Sequence, residues 1–216
     1  MLWFGIFQVS FADEMCLSTD DAVQHSLNVL QEYFFTKDCT AAIKKLQRAT
    51  SLSIVNRGLT DISFLKSATR LTHLNLAKNN ITDTTPLADV SSLLWLDLSE
   101  NPISSMKNLP ADSLEVFWCR QCQISSWEVS AKMSALREIS LRDNQMTTIN
   151  ISDFPSLQVV FLTGNQITDP SSLAGIKKMT AVDLYGNPID KDNCPQDKET
   201  SKGLRRACSA MFPREE

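Results

Sequence analysis

The sequence predicts an α/β fold in which a right-handed solenoid carries a parallel β-sheet on its concave face and a 3₁₀ or extended return on its convex side. Helical caps are expected at both ends. Three observations predict this. One eleven-residue apolar phrase recurs in phase through the middle of the chain. Its spacing is too short for a self-sufficient domain, and helix-periodic segments flank the array.

Aligned on "LTHLNLAKNNI" (71–81), the copies begin at Ala49, Leu71, Leu93, Leu114, Leu136, Leu157 and Met179, at steps of 22, 22, 21, 22, 21 and 21 residues. The template L-x-x-L-x-L-x-x-N-x-L is that of a leucine-rich repeat. A single copy cannot bury its apolar side chains, so stacked copies share one continuous core. Leu74 and Leu76, Leu96 and Leu98, Ile139 and Leu141, Val160 and Leu162, and Val182 and Leu184 alternate with outward residues, the period of two that a strand requires. Asn79, Asn101, Asn144, Asn165 and Asn187 share one interior corner, where a side-chain amide satisfies turn backbone groups. The second half of each copy, such as "TDTTPLADVSS", holds turn residues and a few apolar anchors. Met106, Trp127 and Ile149 share one offset after the corner and are expected in the core.

The fourth copy contains a C-x-x-C spacing, "FWCRQCQI" (117–124). In register, Cys119 stands where Leu76 stands and Cys122 where Asn79 stands. Both are therefore expected as buried structural thiols. A redox or zinc role is the alternative, although one such pair supplies only two of four zinc ligands.

Each end of a solenoid needs a lid. Ahead of the repeats, "STDDAVQHSLNVLQEYFF" places Val23, Leu27, Leu30 and Phe34 at helical spacing, with Ser18 as the expected N-cap. "TAAIKKLQRA" is a second short helix, and "CPQDKETSKGLRRACSAMF" contains another at the far end. Four cysteines lie outside the repeats. Their placement around these helices suggests Cys16–Cys39 and Cys194–Cys208 disulfides pinning the lids, with four free thiols as the alternative. The expected organisation is a signal peptide at 1–12, an N-terminal cap at 13–48, seven repeats at 49–189 and a C-terminal cap at 190–216. The signal reading rests on an apolar run ending in Ser10-Phe11-Ala12, small residues at the positions a signal peptidase selects, although a basic leader is lacking.

The repeat phrase resembles the 22-residue leucine-rich repeat of the bacterial internalin family. "GLTDISFL", "NNITDTTPL" and "NQITDPSSL" carry the resemblance, along with the helical lid and "GNPIDKDNCP". It implies a non-enzymatic protein that binds another protein through its concave sheet. It does not extend to an internalin's long array, immunoglobulin-like domain or wall anchor.

Composition excludes several classes. A net charge of −4, from 21 Lys plus Arg against 25 Asp plus Glu, gives no basis for nucleic-acid binding. The chain has only six glycines, none in a phosphate-cradling loop, and no apolar run long enough to span a bilayer. No cofactor or metal site is expected. The sequons at Asn80-Ile81-Thr82 and Asn150-Ile151-Ser152 are chance matches if the source is bacterial.

Candidate binding residues are the outward strand positions. They run Ser51, Ser53, Val55; His73, Asn75, Ala77; Trp95, Asp97, Ser99; Val116, Trp118, Arg120; Glu138, Ser140, Arg142; Val159, Phe161, Thr163; and Ala181, Asp183, Tyr185. Trp95, Val116 and Trp118 are expected to touch, with Val159, Phe161 and Tyr185 forming a second apolar group. Each aromatic offers roughly 150–250 Å² of burial, so an open patch of this kind marks a protein-interaction site. Arg120 and Arg142 share a column, with Asp97, Glu138 and Asp143 near them, and could orient an acidic group of a partner. The face is therefore read as binding through His73, Trp95, Asp97, Val116, Trp118, Arg120, Glu138, Arg142, Val159, Phe161, Asp183 and Tyr185. The expected protein is exported, secreted or periplasmic. It is expected as a monomer, with homodimerisation through the concave face as the alternative. An intracellular scaffold or regulatory subunit, like phosphatase regulators built from similar repeats, is the second function class. A hydrolase using Ser51, His73 and Asp97 is the third, and it lacks an evident oxyanion pocket.

Overall fold

The computed structural model describes residues 10–126, 128–148, 150–176, 178–195 and 200–212. Trp127 and Ile149, most of the apolar N-terminal run, and part of the segment after Cys194 lie outside these.

Among the described residues seven three-residue strands form one parallel sheet in sequence order. They are β1 Ser51–Ser53, β2 His73–Asn75, β3 Trp95–Asp97, β4 Val116–Trp118, β5 Glu138–Ser140, β6 Val159–Phe161 and β7 Ala181–Asp183. The register carries each rung onto the equivalent residue of the next, as in Leu52↔Leu74, Leu74↔Leu96 and Leu96↔Phe117. Every strand's middle residue points inward, and from Leu52 to Val160 these are essentially inaccessible. Val182, on the last rung, is only partly buried.

The interior corner is a ladder of amides. Asn79 accepts from the N–H groups of Arg57 and Leu59 at 3.0 and 3.1 Å and donates to the carbonyls of Ile54 and Leu76, both at 2.8 Å. Asn101, Asn144, Asn165 and Asn187 repeat this, each accepting from the previous rung and donating back to its carbonyls. The residue just before each corner lies in the left-handed region: Asn56, Lys78, Glu100, Gln121, Asp143, Gly164 and Gly186 have φ from 52 to 71°. Nothing in the sequence signals this turn until glycine takes it over in the last two rungs.

The convex side varies. It holds 3₁₀ turns at Ser63–Ser67, Thr85–Asp89 and Ser171–Gly175, and among the described residues the returns that follow β3, β4 and β5 are irregular. Met106 is buried as expected.

At the N-terminal end three helices, α1 Phe11–Cys16, α2 Asp21–Tyr33 and α3 Cys39–Leu46, pack on the first rung. Leu27, Leu30, Ile43 and Leu46 close the core there. The N-cap of α2 is Asp20, whose carboxylate accepts from Ala22 and Val23, and not Ser18. Ser18 sits two residues outside, its hydroxyl accepting from the Asp20 N–H at 3.2 Å. A carboxylate is the better cap because it also meets the positive end of the helix dipole. Helix α1 is an element the sequence reading did not contain. Ser10 caps it, and Ala12 and Met15 are buried. At the other end α4, Lys202–Met211, lies across β7. Gly203 permits the approach, since a Cβ there would sit 3.0 Å from the Thr180 carbonyl carbon.

Disulfides join Cys16 to Cys39, linking α1 to α3, and Cys194 to Cys208, linking the last rung to α4. The third joins Cys119 to Cys122. The expectation of two free structural thiols in the fourth rung is therefore corrected. The repeat puts both side chains into the same corner, three residues apart across a left-handed turn, where their sulfurs meet.

Candidate functional site: the concave face

The concave side chains form three columns. The first runs Ser51, His73, Trp95, Val116, Glu138, Val159, Ala181, and the second Ser53, Asn75, Asp97, Trp118, Ser140, Phe161, Asp183. Val55, Ala77, Ser99, Arg120, Arg142, Thr163 and Tyr185 follow the strands as the third. The register pairs Trp95 with Val116, so Trp95 meets Trp118 on the diagonal. Their rings are 5.3 Å apart, edge to face. His73 stacks beside Trp95 at 6.5 Å, and the Arg120 guanidinium lies 4.9 Å from the Trp118 ring centre. His73, Trp95, Trp118 and Arg120 thus make one continuous stack over three rungs, of a kind that adds about 0.5–1.5 kcal/mol per ring pair beyond area burial.

The second group is built differently from expectation. Phe161 lies beneath Arg142, whose guanidinium is 4.5 Å from the ring centre. Tyr185 is 75% exposed. Trp95, Val116, Trp118, Val159 and Phe161 are half-buried. The open patch expected of them is reduced, because the rings pack on one another and the arginine stems cover them.

The charges also differ. Asp97, 5% exposed, faces Arg120 at 3.8 Å while accepting the Ser99 N–H at 2.9 Å. Arg142 reaches two rungs along to Asp183, at 2.9 Å, and not to Glu138 or Asp143. Glu138 accepts instead from the Trp118 indole N–H at 2.8 Å. Alternating acid and base thus hold the aromatic layer in place. These pairs are one-third or more exposed on the arginine side, so their role is orientation rather than stability.

A shallow cavity of about 530 Å³, lined by Ser51, Leu52, Ser53, His73, Asn75 and Trp95, continues the face toward the first rung. The serine–histidine–aspartate relay drawn from sequence does not assemble. His73 Nδ1 is 3.0 Å from the Thr72 hydroxyl, and Asp97 is engaged by Ser99 and Arg120. Among the described residues no cluster of His, Cys, Asp or Glu could hold a metal ion, and no helix is long and apolar enough to cross a membrane.

A stack of identical rungs, an asparagine corner and an open concave sheet define a leucine-rich-repeat solenoid, a fold typical of protein-binding scaffolds. The family model described as "Leucine Rich repeat" matches residues 68–84, spanning β2 and its corner. The structure is similar to internalin C2 of Listeria monocytogenes, with 24% identity and a TM-score of 0.58 over 77% of this chain and 85% of that one. It is similar also to a leucine-rich-repeat protein of Leptospira interrogans, at 19% identity and a TM-score of 0.59 over 70% of this chain and 47% of the other. A third likeness is to TLR13 in its complex with ssRNA13, at 23% and 0.56, over 68% of this chain and 23% of that one. By sequence alone no curated protein matches the chain. These likenesses speak for the fold.

Proposed function

We propose that this chain is a non-enzymatic protein-recognition module of the internalin-like kind, exported from the cell, that grips a protein partner through the centre of its concave face. The stack His73–Trp95–Trp118–Arg120 supports the reading above all. The core pattern asks nothing of these positions, yet they carry the residue types richest in binding hot spots, already ordered and held by Glu138 and Asp97. Val116, Val159, Phe161 and Tyr185 extend the contact area. Arg120 and Arg142 supply specificity for an acidic group that competes with Asp97 and Asp183 for them. Three disulfides support an oxidising compartment.

The test is capture by the immobilised chain, with identification of bound proteins and their titration against purified variants. Trp118→Ala with Phe161→Ala should lower affinity at least 100-fold, while Lys107→Ala on the convex side should not. Both aromatics are half-buried, so the double variant should lose no more than about 2 kcal/mol of stability. Unchanged affinity in the double variant refutes the reading. A specific observation favours a second reading, a non-exported scaffold with its N-terminus retained. Cleavage after Ala12 would cut through α1, removing its Ser10 cap and a buried residue. The mass of the natively produced chain, with and without reductant, decides between the two.

A further inference from the structure

We infer that the Cys119–Cys122 disulfide is a redox-sensitive clamp that positions Trp118 and Arg120 on the concave face. The inference rests on reading that face as the binding surface, and it deepens it. At the corner, Asn79, Asn101, Asn165 and Asn187 each donate to the carbonyl three residues earlier, at 2.8–3.0 Å. Cys122 is tied covalently to the same relative position, Cys119. The fourth rung thus makes by a sulfur–sulfur bond the link that its neighbours make by an amide.

The substitution has a local consequence. A disulfide sulfur carries no proton and is a poor acceptor. Wherever the next rung's corner is an asparagine, the N–H two residues past the corner, as in Ile81, Ile124, Met146 and Ile167, is taken by it. Ile103, facing Cys122, turns instead to the Asn101 carbonyl at 2.8 Å. With no corner amide of its own, the turn is held by the covalent bond together with Asn144, which donates to the Cys119 carbonyl at 2.7 Å. That turn encloses only Arg120 and Gln121, the latter in the left-handed region at φ 52°. Trp118 directly precedes it. The residues gripped are therefore those at the middle of the aromatic stack.

The two cysteines are unequally buried. Cys119 is fully buried, whereas Cys122 is 8% exposed. A dithiol's thiolate attacks the Cys122 sulfur, the sulfur–sulfur bond breaks, and Cys119 leaves as a thiolate that takes up a proton. The dithiol's second thiol then displaces Cys122 as a thiol and closes the reagent into its own disulfide, two electrons and two protons having passed to the protein. Reduced Cys122 has an acceptor waiting, the Leu98 carbonyl at 3.5 Å. The opened rung is thus a defined second state in which the i to i−3 link is lost.

The test needs no partner. Amide hydrogen exchange at Arg120, Gln121 and Gln123 is measured with and without dithiothreitol, in the wild type and in Cys119→Leu/Cys122→Asn, which carries the residues of the regular rungs. Reductant should speed exchange at least tenfold in the wild type and leave the variant unchanged. The variant retains the other two disulfides, so it controls for their reduction. Should it not fold, Cys119→Ala/Cys122→Ser takes its place. Equal responses in the two proteins, or none in the wild type, overturn the clamp. Because binding loss in Trp118→Ala/Phe161→Ala is scored separately, failure of the clamp is distinguishable from failure of the binding face.

Discussion

The outer and central rungs of this solenoid solve the same packing problem with different chemistry. On the convex side, the first, second and sixth rungs carry Asp61, Asp83 and Asp169 at the same repeat position, and each is followed by a 3₁₀ turn. Each carboxylate accepts the N–H two residues on, at 2.8–3.1 Å. The third, fourth and fifth rungs have Ser105, Ser126 and Thr148 there, and among the described residues no 3₁₀ turn follows. At the corner the outer carbonyls of Leu76 and Leu162 each receive two asparagine amides. The central carbonyl of Cys119 is served by Asn144 alone among the corner amides, and that of Leu98 by Asn101. Trp95, Trp118, Arg120 and Arg142 stand on these central rungs, whereas His73, Phe161 and Tyr185 stand on the second, sixth and seventh. Doubled amide support is thus found at Leu76 and Leu162, while Leu98 and Cys119, on the rungs of Trp95, Trp118 and Arg120, and the end carbonyls of Ile54 and Leu184 each receive one corner amide.

The sharpest way to break this comparison is at the corner. Asn144→Ala strips the amide from the Cys119 carbonyl and the acceptor from the buried Ile124 N–H, with no neighbour to replace either. Asn187→Ala removes three links, to the Ile167 N–H and to the Leu162 and Leu184 carbonyls, but the Leu162 carbonyl keeps Asn165 and the site is half-buried. Chemical denaturation should show a loss of about 2–4 kcal/mol for the first and about 1 kcal/mol for the second. Equal losses would mean that amide redundancy has no energetic weight.

A smaller effect should separate the convex turns. Asp83→Ala removes an acceptor that orders the turn at Thr85–Asp89, at a cost of about 1 kcal/mol by analogy with helix N-caps. Ser105→Ala, at the same repeat position in an irregular rung, removes only an exposed contact to the Lys107 N–H at 3.2 Å and should cost under about 0.5 kcal/mol. Thermal unfolding of the two variants side by side checks the difference.

How far the sequence could be read follows the same division. Strand positions, inward residues and the asparagine corner were legible because they obey a repeat imposed by shared burial, and the structure keeps that register through all seven strands. Features that break the repeat were harder. Reading Cys119 as leucine-like and Cys122 as asparagine-like located both side chains correctly, yet repeat logic concerns equivalent residues of different rungs and is silent on two residues of one rung. The coincidence of Asp61, Asp83 and Asp169 with 3₁₀ turns was a signal present in the sequence and left unused. The concave residues were located as a set, but their pairing was not. Alternation shows which side chains point outward. Whether Arg142 turns to Glu138 or reaches Asp183 depends on the lie of a long side chain over Phe161.

The least effect, and the most specific, is on pH. Thr85, first through its hydroxyl and then through its backbone N–H, hydrogen-bonds the Asp83 carboxylate and holds its pKa below the usual carboxylate range. A group whose folded pKa is depressed contributes stability that is fully present above its unfolded pKa and is lost as pH falls through the folded one. For Asp83 that window opens near pH 4, about the ordinary aspartate value, and extends downward. Asp83→Asn keeps an acceptor oxygen but cannot titrate, so its stability relative to wild type should be lower at neutral pH and should converge as pH falls through the lowered pKa of Asp83. Ser105→Asn, in the central rung, replaces no carboxylate and should give a constant offset across the same range. If the Asp83→Asn offset is also constant, the ordered outer turns owe nothing to the charge of their aspartates, and the distinction between outer and central rungs reduces to hydrogen-bond geometry.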